Sequence, residues 1–225
     1  MLDCISVENM RQSDAYTIAN YVPSLELMNR AAFGVFMALP NWENAAIVVG
    51  SGNNGGDGYA LACILRSRGY RCTVFRVSEK ASEDSAYYCQ KAIQGGVSVL
   101  PYESGCLTGF SIIVDCLLGT GFKGGVRSNY CNAIEEINAS DAYIVSVDIN
   151  SGMKGDTGEG ELIVCSDLTV TIGYVKTGLV TLNAGKFMKK LVCADIGIVL
   201  LKEEDKITAE NCPSWLDMNI LKAYE

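Results

Sequence analysis

The chain contains no histidine, so any proton transfer in it must use a carboxylate, lysine, tyrosine, cysteine or water. No C-x-x-C pair occurs among its ten cysteines, at positions 4, 63, 72, 89, 106, 116, 131, 165, 193 and 212. Structural zinc needs close Cys or His pairs, and none is present. Several of these thiols sit inside apolar strand-like runs, and a disulfide framework is not expected in a domain of this size without an export signal. The segment Met1-Leu2-Asp3-Cys4 shows no basic stretch leading into an apolar one, and no apolar run reaches the length of a membrane span. The protein is therefore expected in the cytoplasm. With 18 basic against 26 acidic residues, its formal charge of −8 argues against a general nucleic-acid or anionic-membrane surface and favours a small-molecule partner.

What is present is a periodic α/β pattern. Helices are expected over Glu8–Val22 and Glu26–Leu39, with Pro23 stopping the first and Ser24 capping the second. Strand-like runs follow at 45–49, 72–77, 111–114, 143–148, 167–172 and 191–196, and helical stretches lie near 58–68, 84–94 and 129–138. This β-α-β rhythm predicts a doubly wound, mostly parallel sheet in a single domain over 1–225. Residues 1–40 would pack helices on the sheet, 45–200 form its core, and 201–225 make a tail. No repeat, low-complexity tract or linker breaks the pattern.

The densest chemical signal is Gly50-Ser51-Gly52-Asn53-Asn54-Gly55-Gly56-Asp57, between an apolar strand and a helix-like stretch. Its glycines permit positive φ and close approach of a ligand, and the following helix start points N–H groups at an anion. Gly50, Gly52 and Gly55 satisfy G-x-G-x-x-G, a weak match alone. A ligand-free turn, or the fingerprint of an NAD(P)-dependent oxidoreductase, would also fit it. Asn53, Asn54 and Asp57 add polar side chains that phosphate cradling does not need, which suggests extra chemistry or a bound cation.

Ligands of open parallel sheets sit beyond the carboxyl ends of the strands. Asp115 ends one strand-like run and Asp148 another, each leading into a glycine-containing loop. Either acid alone could cap a turn. Together, beside Asn and Ser oxygens, they make a hard pocket suited to an alkali or alkaline-earth cation. Lys123 could meet a phosphate or be solvated.

These segments resemble the NAD(P)H-hydrate epimerase, or YjeF N-terminal domain, family. The resemblance rests on Gly50 to Gly58 as G-x-G-N-N-G-G-D-G, Asp115 to Gly124 as D-x-L-L-G-T-G-x-x-G, and Val147-Asp148-Ile149 with Ser151-Gly152 as V-D-I-P-S-G. Asp156-Thr157-Gly158, the run Asp167 to Thr171 with Gly173 and Lys176, and Ala194 to Gly197 extend it. It implies a Rossmann-like α/β/α sandwich that interconverts the R and S epimers of hydrated NADH or NADPH (NADHX, NADPHX) at C6, in partnership with an S-specific dehydratase. A homodimer is implied as well. It places one potassium ion per subunit on Asn54, Asp115 and Ser151. Substrate contacts fall on Asn53, Asn54, Gly55, Gly56 and Asp57, on Gly119, Thr120, Gly121, Phe122, Lys123, Gly124 and Gly125, and on Asp148. Asp148 is the expected catalytic group, a partly desolvated carboxylate of raised pKa serving as acid and then base. Asp57 either assists or braces its loop through a backbone hydrogen bond. Asn150 stands where the family has proline, which is expected to loosen the loop presenting Asp148 and Ser151; Asn29 in place of a glutamate is a milder departure. A non-catalytic nucleotide-binding scaffold domain is the alternative from another class.

Overall fold

The computed structural model describes residues 1–224. Its first half runs β1 (Leu2–Ile5), α1 (Val7–Asn20), α2 (Ser24–Ala38), β2 (Ala45–Val49), α3 (Asn53–Ser67), β3 (Cys72–Arg76), α4 (Glu83–Gln94) and β4 (Ser98–Pro101). The second half runs β5 (Ile112–Cys116), α5 (Asn129–Asn138), β6 (Tyr143–Val147), β7 (Leu168–Ile172), β8 (Val175–Lys176), β9 (Leu191–Asp195), β10 (Asp205–Ile207) and β11 (Leu216–Lys222).

Eight strands form one sheet in the order β11-β9-β7-β6-β5-β2-β3-β4, and every pairing in it is parallel. Parallel strands need both faces covered, which is why the central ones read as unbroken apolar runs. In β2 the alternation is still visible in the packing. Ala45, Ile47 and Val49 meet Leu61 and Leu65 of α3 and the α2 and α4 layer. Ala46 and Val48 face Ile134 and Ile137 of α5. Beside α5, a three-stranded sheet ordered β10-β1-β8 covers the same side over β9 and β11, burying Leu2, Val175, Leu191, Cys193 and Leu216. The result is a helix layer, the parallel sheet, and a mixed layer of helix and small sheet.

The chain winds from β2 outward through β3 and β4, then resumes on the other side of β2 with β5 and continues outward to β11. The switch point lies between β2 and β5, and the connections at their carboxyl ends diverge there, leaving a crevice. Gly34 lets α2 close on the sheet: a Cβ at that position would stand 2.6 Å from the Ala194 Cβ.

Several expectations are corrected. Pro23, not Ser24, is the N-cap of α2, and it supplies no side-chain hydrogen bond. Helix α3 begins at Asn53 rather than Gly58, so the polar segment 53–57 is its first turn and not a loop. Residues 205–207 and 216–222, set aside as tail, form β10 and the edge strand β11.

Candidate active site

The connection from β2 to α3 is glycine-rich for a packing reason. None of Gly50, Gly52, Gly55 and Gly56 has positive φ, contrary to the expected cradle. A Cβ on Gly50 would stand 1.9 Å from the Leu117 carbonyl oxygen, and one on Gly55 would stand 2.3 Å from the Gly50 carbonyl oxygen. Only hydrogen fits at either place, so these glycines let the helix start and the β5 exit loop press on the end of β2. Gly52 differs, since nothing lies within 4 Å of its would-be Cβ. It is the N-cap of α3, without a capping side chain and with no acid in the first turn. The free N–H groups of that turn therefore open toward the crevice, an anion-binding arrangement.

Asp115 lies within β5, opposite Val48 of β2 and Ser146 of β6. Its side chain is fully buried and accepts four hydrogen bonds: from Ser151 Oγ (2.5 Å) and Leu117 N (3.1 Å) on Oδ1, and from Ser146 Oγ (2.9 Å) and Ser151 N (3.0 Å) on Oδ2. Burial pushes its pKa up, against the pull of those donors. Leu118 N donates to Ser151 Oγ at 2.8 Å, which ties this network to the backbone bordering the crevice. Nearby, the side-chain oxygen and nitrogen of Asn54 are both buried and without a partner. Two unpaired amide atoms on one buried side chain call for a ligand or ordered water. Among the described residues no three His, Cys, Asp or Glu side chains group as metal ligands, so a cation here would depend on amide, hydroxyl and single carboxylate oxygens.

Asp148 follows β6 with φ of +67°, a left-handed conformation rare for a residue with a Cβ. The partly desolvated carboxylate expected there is also half of an ion pair: Lys176 Nζ donates to Oδ1 at 2.5 Å, with the lysine side chain 1% and the aspartate 16% exposed. Thr120 N approaches the other oxygen, Oδ2, at 3.4 Å. The loop after Asp148 is anchored, not loosened, by Asn150. The two hydrogens of Asn150 Nδ2 are shared among Val164 O (2.9 Å), Ser166 Oγ (3.0 Å) and Phe187 O (2.9 Å), and Oδ1 accepts from Thr169 Oγ1 (2.7 Å).

These elements enclose a cavity of about 520 Å³ whose lining includes Asn53, Asn54, Asp57, Gly119, Thr120, Gly121, Phe122 and Asp148. Asp115 and Ser151 lie behind it, joined to each other and linked through Leu118. Gly55 and Gly56 are buried in the packing of α3, the latter against Met28. Gly124 and Gly125 border a smaller, neighbouring depression with Lys154 and Glu161, and Lys123 is exposed.

The cavity also holds residues to which the sequence analysis assigned no role in a site. Asp14 and Arg11 reach it from α1, Asp84 from α4, and Lys176 from β8, over an apolar floor that includes Met28 and Ile172. Asp57 makes no hydrogen bond to the described residues that would brace a loop. Burial, then the charges of Asp148 and Asp14, push its carboxyl well above the ordinary range, and burial with Asp148 raises Asp14 in the same direction. Asp14 gives no sequence signal, being one acid on a polar helix. Lys176 does give one, a single lysine flanked by Val175 and a strand-like run.

The family profile described as "YjeF-related protein N-terminus" matches residues 24–178. An NAD(P)H-hydrate epimerase of Limosilactobacillus fermentum is 34% identical over 198 residues, covering 85% of this chain and 95% of its own length. A bifunctional NAD(P)H-hydrate repair enzyme of Coxiella burnetii is 31% identical over 199 residues, which are 84% of this chain and 40% of that protein. The crystal structure of a yeast protein has the same fold, with a TM-score of 0.75 at 22% identity over 91% of this chain and 97% of the other.

Proposed function

Because the chain belongs to the YjeF N-terminal family, we propose that it is an NAD(P)H-hydrate epimerase, an isomerase that interconverts the R and S forms of hydrated NADH and NADPH at C6 of the nicotinamide ring. The observation that carries this reading is a carboxylate, Asp148, in the lining of a crevice that the first turn of α3 also borders. The diphosphate belongs at that turn, since backbone N–H groups and the helix dipole both favour an anion there. The hydrated ring belongs beside Asp148 and over the apolar floor.

Epimerisation at C6 needs the hydroxyl to leave and return on the other face. A carboxyl proton passes to the hydroxyl, the C6–O bond breaks with its electron pair and water departs, and the N1 lone pair forms a ring iminium. Water then adds from the opposite face and surrenders a proton to a carboxylate. Asp148, paired with Lys176, is the proton acceptor in this scheme. Asp57, whose carboxyl is pushed well above the ordinary range by burial and then by the charges of Asp148 and Asp14, supplies the proton, and proton exchange with solvent returns both acids to their starting states. The excess of carboxylates around the cavity also favours the positive charge that develops on the ring.

Potassium fits the same reading, one ion per subunit. Asn54, whose amide atoms have no other partner, would hold it together with Asp115 and Ser151, and the all-oxygen set suits a hard monovalent cation. When bound, the ion supplies fixed positive charge that offsets the surrounding acids. The reading further includes a homodimer working in the cytoplasm beside a dehydratase specific for the S hydrate. Among the described residues, no helix is long and apolar enough to cross a membrane.

The decisive experiment mixes R and S hydrates with an S-specific dehydratase and follows disappearance of the R form. With this protein present the R form is expected to be consumed. Asp148→Asn should lower the rate at least about 100-fold, in the range typical of a lost proton-transfer group. Persistence of the R form with wild-type protein removes the reading, and a near-wild-type rate for Asp148→Asn removes Asp148 from it.

A further inference from the structure

Lys176 is the largest side chain wholly buried in the protein, and its charge is the expensive part of that burial. All three of its ammonium hydrogens are used: on Asp148 Oδ1 at 2.5 Å, on Ile172 O at 2.7 Å and on Thr171 Oγ1 at 3.1 Å. Two of those acceptors belong to the end of β7. Gly173, at φ of +75°, turns the chain there so that β8 brings Lys176 back against the strand it has just left. The ammonium is therefore fixed by neutral groups first, and Asp148 is presented to a charge already in place.

Asp148 needs such a fixture. Its left-handed backbone is strained for a residue with a Cβ, and glycine or asparagine would make the same turn at lower cost. Around its carboxylate stand Asp14 from α1, Asp57 from α3 and the Cys193 thiol of β9, none of which brings positive charge. Arg11, the other cation lining the cavity, is engaged by Glu8 in two hydrogen bonds. Without Lys176, no cation would hold Asp148 in the crevice against the neighbouring charge of Asp14. With it, Oδ1 is occupied and Oδ2 is the oxygen left for the reacting centre, beside Gly119 and Thr120 N.

Resting on the epimerase reading, we infer that Lys176 is a positioning residue for the reaction: it holds Asp148 in its left-handed conformation, so that one chosen carboxylate oxygen faces the substrate. It does not touch the reacting atoms. A buried ion pair whose role was stability alone would be poorly explained, since apolar residues of similar volume usually serve as well or better.

The test measures kcat and KM for Lys176→Met, Thr171→Val and wild type with the R hydrate and the coupled dehydratase, and compares crystal structures of the three. Lys176→Met should lower kcat by about 100-fold or more with KM within about threefold, the pattern of an interaction that matters in the transition state. Thr171→Val, which removes one of the three acceptors, should lower kcat by about tenfold in the same manner, and it serves where Lys176→Met does not fold. In both variant structures Asp148 should leave its left-handed conformation or turn its carboxylate away from the cavity. A folded variant that keeps wild-type kcat, or one in which Asp148 stays in place, overturns the proposal. If wild-type protein leaves the R hydrate untouched, the epimerase reading fails by itself, and the position of Asp148 across the three structures still decides what Lys176 does.

Discussion

Asp57 carries a pH signature that can be read without substrate. In the unfolded chain its carboxyl titrates near the ordinary value of about 4. In the folded protein burial and the charges of Asp148 and Asp14 raise it well above that. Between the two values the native state binds the extra proton, so stability falls as pH rises through this window and is recovered on acidification. Asp57→Asn is therefore expected to raise the melting temperature at pH 7.5, and the gain should shrink toward zero as pH approaches 4. A variant that is equally or less stable at pH 7.5 would show that Asp57 is ionised and matched in the native state. Asn150 makes the opposite case. Its amide has four hydrogen-bond partners in three separate segments, and Asn150→Ala, which strands those partners, should cost about 3 kcal/mol by urea denaturation. The placement of Asp148, Asp115 and Ser151 at one end of the sheet was legible because each sits beside a strand end in a short motif. The clamp by Asn150, the Ser146 bond to Asp115 and the pairing of Lys176 were not, because each depends on register between strands far apart in sequence.

At the scale of elements, the start of α3 separates glycines that serve packing from Gly52, whose would-be Cβ meets nothing. Gly55→Ala would set a Cβ 2.3 Å from a backbone oxygen that cannot swing aside, and it should cost several kcal/mol, about 3 or more, if the protein folds at all. Gly52→Ala meets nothing, so its effect on stability should stay within about 1 kcal/mol. Its methyl group would nevertheless stand at the helix start where we propose that the diphosphate sits, and binding of NADPH as a stable stand-in should weaken by calorimetry. Equal stability of the two variants would mean that the α3 start is looser than its packing implies. The same element explains a boundary missed from sequence. Two glycines and two asparagines lower helix propensity over 53–56, which favours reading them as loop, but close contact with β2 and Met28 makes them helical. Edge strand β11 was missed for a related reason: its residues alternate weakly between buried and exposed, and only its pairing with β9 defines it.

At the scale of the whole molecule, Asn54 belongs to α3, Asp115 to β5 and Ser151 to the loop after β6, so the three lie on both sides of the switch point. The protein already joins Asp115 to Ser151 by direct hydrogen bonds and leaves the Asn54 amide unsatisfied. A cation held at all three would tie α3 to the β5 and β6 ends and stabilise the fold by mass action, because the unfolded chain offers no such site. The formal charge of −8 means that any salt relieves some self-repulsion, so salts must be compared at equal ionic strength. Potassium chloride is expected to give a higher melting temperature and a faster epimerisation rate than sodium chloride or tetramethylammonium chloride. Asp115→Ala loses four hydrogen bonds and will be less stable in every salt; the informative quantity is the spread between salts, which should largely vanish in that variant. Asn54→Ala supplies the cleaner contrast, since it breaks no hydrogen bond within the protein and should abolish the potassium advantage at little cost in stability. Identical melting curves and rates in all three salts for the wild type would mean that the orphaned amide of Asn54 is met by water or substrate, and that no ion spans the switch point.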